Sequence, residues 1–143
     1  MKINLVSNLN SFKKNYFNIA IGGNANLNKR IIETKHINLL LDPEPLENDF
    51  MNYRNSGLNQ VLVKLAKKNS IGIGFSLNRL EKLNKLNKVD LLGKIKQNII
   101  LCNKYKVKYY IVNFNNKKNI KDLNALSLIL GINNVDIIQE PIS

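Results

Sequence analysis

The sequence predicts an α/β domain built on a parallel sheet, and three observations carry that prediction. Short β-branched and apolar runs recur along the chain, segments with helical spacing lie between them, and the two kinds alternate throughout. A strand, helix, strand order requires crossovers, and crossovers give parallel strands buried on both faces.

The strands are expected at Ile3 to Val6, Asn18 to Ile21, Ile37 to Leu41, Ile71 to Phe75 and Val107 to Phe114, each a short run rich in Ile, Val, Leu or aromatic residues. The tail "NNVDIIQEPIS" supplies a sixth short element before Pro141 ends it. Helices are expected at Ser7 to Tyr16, Ala25 to Thr34, Ser56 to Lys68, Leu80 to Tyr105 and Asn119 to Leu130, the last closed by Gly131 as a C-cap. Ser56 is the expected N-cap of its helix, with Leu58, Val61, Leu62 and Leu65 as the apolar face. In "IGIGF", Gly72 and Gly74 fall on one side of a pleated strand and Ile71, Ile73 and Phe75 on the other. Small residues on one face suit a curved sheet, a barrel interior or a close backbone approach. A full eightfold barrel takes about 250 residues, so a barrel made from these 143 residues is incomplete or open.

The size is that of one domain, 1–143, and no apolar run is long enough to span a bilayer. The first residues, "MKINLVSNLNSFKK", lack the sustained apolar core of a secretory signal. One cysteine excludes an intrachain disulfide framework and fits a reducing, cytoplasmic setting. The net charge of +12 points to a polyanionic partner, nucleic acid first and an anionic membrane surface second. Nineteen of the 22 basic residues are lysine, in company with abundant asparagine and isoleucine, so part of the basicity reflects an AT-rich coding bias. Yet Arg54 to Lys121 holds 16 Lys/Arg against only Glu81 and Asp90, while the remainder holds 6 against 8 carboxylates. Bias alone spreads charge more evenly, and the concentration describes an electrostatic face or a solvated helical surface.

Residues for catalysis are sparse. His36 and Cys102 are single representatives of their types, no pair has metal-ligand spacing, and no G-x-S-x-G elbow is present. His36 reads as a surface or strand-edge residue, and Cys102 shares a helix face with Leu92, Ile95 and Ile99, which favours packing over reactivity. Asp42, Glu44, Glu47 and Asp49 cluster after the third strand in a proline-containing acidic loop. Gly22-Gly23, between a strand and a helix carrying Lys29 and Arg30, offers an ordinary βα turn with a backbone-phosphate contact as the alternative. Tyr105, Tyr109, Tyr110 and Phe114 interleave with Lys104, Lys106 and Lys108, a pattern that serves either base stacking or a strand core.

Several stretches together resemble ribonuclease P protein component 3, the archaeal counterpart of the thirty-kilodalton eukaryotic subunit. They are Gly22-Gly23, Asn28-Lys29, Pro43, Arg54, Ser56-Gly57-Leu58, Val61 to Ala66, Ile71 to Phe75 and Lys104 to Val107, spread over residues 18 to 132. The resemblance implies a TIM-barrel-like fold of the polymerase and histidinol phosphatase group, here an incomplete or open barrel. It implies a noncatalytic subunit that supports the RNA in removing the 5′ leader of precursor tRNA, with protein component 2 and the RNase P RNA as partners and precursor tRNA met indirectly. No cofactor is implied in this chain, Mg²⁺ belonging with the RNA subunit. The RNA-facing residues expected on this basis are Lys29, Arg30, Arg54, Gln60, Lys64, Lys67, Lys68, Arg79, Lys94 and Lys104. Gln60 stands where the family commonly has histidine, and Lys29 where it has arginine, so Lys29 lacks the bidentate fork. The competing readings are a metal-dependent phosphoesterase of the related barrel group, which needs more than one histidine, and a degenerate scaffold subunit.

Overall fold

The computed structural model describes residues 2–46, 55–114, 120–132 and 135–138, without the side chains of 120–121 and 135–136. Six strands, β1 (Ile3–Leu5), β2 (Phe17–Ile21), β3 (Leu39–Leu41), β4 (Gly72–Ser76), β5 (Tyr109–Val112) and β6 (Val135–Ile138), form one sheet in sequential order, every neighbouring pair parallel. The helices are α1 (Ala25–Ile32), α2 (Gln60–Lys68), α3 (Leu77–Glu81), α4 (Lys85–Tyr105) and α5 (Ile120–Leu130).

The pleat separates two apolar layers. Ala20, Leu40, Ile73, Phe75, Tyr109 and Ile111 face the helices and pack with Ile31, Val63, Ala66, Ile95, Ile99 and Cys102. Ile19, Leu39, Leu41, Val112, Phe114 and Ile138 face the opposite way and pack with Ile3, Leu5, Phe17 and Tyr110. No described helix covers this second layer, and the sheet curls over it as an incomplete, TIM-barrel-like half-barrel. Gly72 and Gly74 make the curl tight. A Cβ on Gly72 would collide with the Tyr110 ring, and one on Gly74 would stand 2.5 Å from the Tyr110 carbonyl oxygen. The alternation read in "IGIGF" is therefore a close backbone approach inside the curl.

Three local expectations are corrected. Residues 7–16 form turns rather than a helix. Asn18, buried where a crossover helix would pack, accepts from the Lys13 amide at 2.9 Å and donates to the Lys13 and Tyr16 carbonyls, while Asn4 donates to Asn18 Oδ1 at 2.8 Å. Side-chain amides take the backbone groups that a helix would pair internally. The long helix at Leu80 to Tyr105 is two helices, because Ser76 caps α3 and Asn84 caps α4. The third correction concerns α2: its N-cap is Asn59, whose side chain accepts from the Leu62 amide at 2.9 Å, and Ser56 lies outside it, buried. The rotation turns Val61 to solvent and places Leu62, Val63 and Ala66 in the core.

Candidate nucleic-acid interface

The family-like signature converges on one side chain. Asn28, on the buried face of α1, donates from Nδ2 to the Pro43 carbonyl at 2.9 Å and the Gly57 carbonyl at 2.8 Å, and its Oδ1 accepts from the Gly23 amide at 3.2 Å. Three loops at the C-terminal edge of the sheet are thereby held by one amide with all its polar atoms used. Gly57 has φ +80°, and a Cβ there would collide with the Pro43 carbonyl oxygen and approach Asn28 Nδ2 to 2.8 Å. Gly23, Asn28, Pro43 and Gly57 are thus a structural knot. The N-terminus of α1 is closed likewise: Asn24 accepts from the Leu27 amide at 2.8 Å, and Gly23 is taken by Asn28, which leaves little of the anion-binding turn.

Beside the knot lies a buried charge network that the acidic loop alone did not announce. Glu44 is fully buried, receiving Arg79 Nη2 at 2.7 Å on Oε1 and Asn98 Nδ2 at 2.7 Å on Oε2. Arg79 also donates to the Glu44 carbonyl at 3.0 Å, and its Nε stands 3.5 Å from Asp42 Oδ1. Asp42, at φ 53°, accepts from the Ser76 amide at 2.7 Å and so ties the ends of β3 and β4. Burial pushes Glu44 up to about 7 and Asp42 up to about 6, against the pull of Arg79 on both. Lys94, with no exposed surface, donates to the Pro45 carbonyl at 2.9 Å and pairs with Asp90 at 3.3 Å.

Two of the expected RNA-facing cations are corrected by this network. Lys94 is buried, and its ammonium is committed to Pro45 and Asp90. Arg79 keeps some exposure but spends its guanidinium on Glu44 and Asp42. Turning Arg79 out to a phosphate would strand the buried Glu44 and Asp42 carboxylates, and turning Lys94 out would leave the buried Pro45 carbonyl without its donor. A cavity of about 460 Å³ at this edge is lined by Asp42, Ser76, Asn78, Arg79, Lys82 and Phe114 among others. Among the described residues no three His, Cys, Asp or Glu side chains converge as a metal site would require. Glu47 and Asp49 of the acidic loop lie outside the described residues.

The remaining cations stand outward on adjacent helices. Lys29 and Arg30 are exposed in the last turn of α1, Gln60, Lys64, Lys67 and Lys68 on α2, and Lys104 at the end of α4. Helix α2 packs between α1 and α4. Arg54 lies outside the described residues. Of the interleaved aromatics, Tyr109 packs 6.2 Å from Phe75 in the core, Tyr110 and Phe114 belong to the curled layer, and Tyr105 is half-buried among lysines. His36 is exposed and stacks on Phe12 at 4.3 Å, and Cys102 is buried. No described helix is long and apolar enough to cross a membrane.

Comparison with curated proteins gives 34% identity over 89 residues to ribonuclease P protein component 3 of Methanosarcina acetivorans, covering 62% of this chain and 34% of that protein. The chain is similar to ribonuclease P protein component 3. Its counterparts from Methanosarcina mazei and Methanosarcina barkeri match at 32% identity over the same shares. The match spans about a third of the length of each component 3 relative. No protein-family model matches the chain. A chain of the cryo-EM structure of archaeal ribonuclease P with mature tRNA shares the fold, with a TM-score of 0.67 at 22% identity over 81% of this chain and 49% of that one. The resemblance to component 3 read from Gly22-Gly23, Asn28 and Ser56-Gly57-Leu58 thus agrees with the curated relatives, the solved structure shares the fold, and the geometry gives Gly23, Asn28 and Gly57 a folding role.

Proposed function

We propose that this chain acts as a noncatalytic protein subunit of a cytoplasmic ribonuclease P, supporting the RNA that removes the 5′ leader of precursor tRNA. The carrying observation is a set of exposed cations on three adjacent helices, α1, α2 and α4, of a chain similar to component 3. Ammonium and guanidinium groups on an outer helical layer screen phosphates without reading bases, which favours the compact fold of a large RNA. The partners on this reading are the RNase P RNA and protein component 2. Mg²⁺ acts with the RNA, and precursor tRNA is engaged through it.

Reconstitution tests the reading. The purified chain is added to RNase P RNA with component 2, and cleavage of precursor tRNA is followed. Stimulated cleavage, with no hydrolysis by the protein alone, is expected. Absence of stimulation overturns the reading, and binding to component 2 without RNA binding would assign the chain a scaffold role instead.

A further inference from the structure

The C-terminal ends of α2 and α4 bring lysines together instead of splaying them. Lys64 Nζ from α2 and Lys104 Nζ from α4 stand 5.3 and 5.4 Å from the centroid of the same Tyr105 ring. Cation–π attraction holds both ammonium groups there, within about 11 Å of each other. Lys67 reaches across the same helix pair and donates to the Lys106 carbonyl at 3.0 Å, and Lys106 is the left-handed C-cap of α4 at φ 60°. Next to them a cavity of about 230 Å³ opens at the N-terminal ends of β4 and β5, lined by Lys67, Ser70, Gly72, Lys106 and Lys108 among others. This is the opposite end of the sheet from Asp42, Glu44 and Arg79.

The ordinary role of such lysines is to neutralise helix C-termini. Each helix end carries roughly half a negative charge, so the two ends offset about one ammonium group of four: Lys64, Lys67, Lys104 and Lys106, all exposed. Among the described residues no carboxylate pairs with any of these four lysines. Residues 56–76 and 91–121 contain no Asp or Glu. Asn69, which donates to the Ile32 carbonyl at 2.8 Å, brings the end of α1 and its Glu33 only to the border of the group. With a Debye length of about 8 Å at physiological salt, these exposed lysines repel one another only weakly, and their excess positive charge stays open to a polyanion that can meet several of them at once.

We propose that this edge, the Lys67–Ser70–Lys106 cavity with the Lys64–Tyr105–Lys104 cluster beside it, is a seat for an RNA phosphodiester backbone. Lysine point charges and a serine hydroxyl suit phosphate oxygens and carry no base specificity. The seat rests on the RNA-binding reading above and narrows it to one end of the sheet.

The test compares two double variants of equal net charge in the full chain: Lys67→Gln with Lys106→Asn at the seat, and Lys29→Gln with Arg30→Gln on α1. Asparagine tolerates the positive φ at position 106. Affinity for the RNase P RNA is measured against salt. The seat variant is expected to lose at least tenfold in affinity and to lower the slope of log K against log salt by about 1.5 to 2 units, the α1 variant distinctly less. Equal losses in the two variants overturn the seat while leaving RNA binding intact. A wild-type chain that does not bind RNA overturns the functional reading itself. The Lys67→Arg variant restores binding if charge is what matters, and guards against misfolding as the cause. Loss of binding to phosphatidylserine vesicles, with RNA affinity unchanged, would overturn the RNA assignment in favour of a membrane surface.

Discussion

Asn28 Nδ2 donates to the carbonyl oxygen of Gly57 across 2.8 Å, joining α1 to the turn before α2 over 29 residues of chain. The same nitrogen holds Pro43, and the oxygen of the same amide holds Gly23. Truncation by Asn28→Ala leaves three backbone groups unpaired in a fully buried site. A loss of roughly 2–4 kcal/mol of stability is expected. Asn28→Asp should be no milder, since an ionised carboxylate has no hydrogen to give to Pro43 and Gly57. Equilibrium urea unfolding checks both, and a loss below about 0.5 kcal/mol for Asn28→Ala would contradict the knot.

Gly57→Ala adds a methyl that meets the Pro43 carbonyl oxygen at a backbone φ of +80°. Neither the backbone contact nor the left-handed dihedral can relax without moving the Pro43 loop. Destabilisation of about 2 kcal/mol or more is expected. Gly23→Ala, whose Cβ would meet nothing within 4 Å despite φ +144°, should show dihedral strain without the collision and be the milder of the two in thermal unfolding.

The pH dependence of stability should carry the mark of Glu44. Its folded value, about 7, lies above its ordinary 4.5, so the folded state holds a proton that the unfolded chain has released. Its contribution to stability is complete below about pH 4.5 and is lost as the pH rises through 7. At 1.36 kcal/mol per unit, that loss is about 3 kcal/mol at most. Asp42 works in the same direction, between its ordinary 3.8 and about 6. Glu44→Gln cannot release a proton, so the stability of the wild type relative to this variant should be greater at pH 5 than at pH 8. A difference that stays constant across that range would contradict the assignment.

Buried and exposed cations should separate in a paired measurement. Arg79→Ala leaves Glu44 and Asp42 without their common cation and should cost about 3 kcal/mol or more. Lys29→Gln and Lys68→Gln, on exposed helix positions, should change stability by less than about 0.5 kcal/mol while weakening RNA binding. Melting curves and salt-dependent RNA titrations on the same preparations check this. An unchanged melting temperature for Arg79→Ala would return that side chain to the set of RNA-facing candidates.

Cys102 should be inert in the native protein. Burial pushes its thiol up to about 12, with the charge of Glu44 adding to the shift, so little thiolate exists near neutrality. Alkylation by iodoacetamide should proceed only after denaturant is added. Rapid native-state labelling would show that α4 opens at this point.

Strand and helix alternation, the parallel sheet and the polar face of α2 were legible in the chain because each rests on local spacing: period two in "IGIGF", helical spacing in "VLVKLAKK". The basic character was legible for the same reason, since charge counts need no geometry. The direction in which each cation points was not. Lys94 and Lys104 are both lysines of α4, yet one is buried on Pro45 and Asp90 and the other lies exposed beside Tyr105. Helical phase alone does not say which face a loop covers. Likewise Asn28 stood in the sequence only as a signature residue beside Lys29, and Ser56 as a helix cap. Only the meeting of three loops, distant in sequence, decided that Asn28 bonds inward and that Ser56 lies buried beneath Asn98. Local pattern thus determined the strands, their order and most of the helices, but not the turns at 7–16, the break between α3 and α4 or the phase of α2. Long-range satisfaction of buried polar groups decided which of the conspicuous residues hold the fold together and which remain available to a partner.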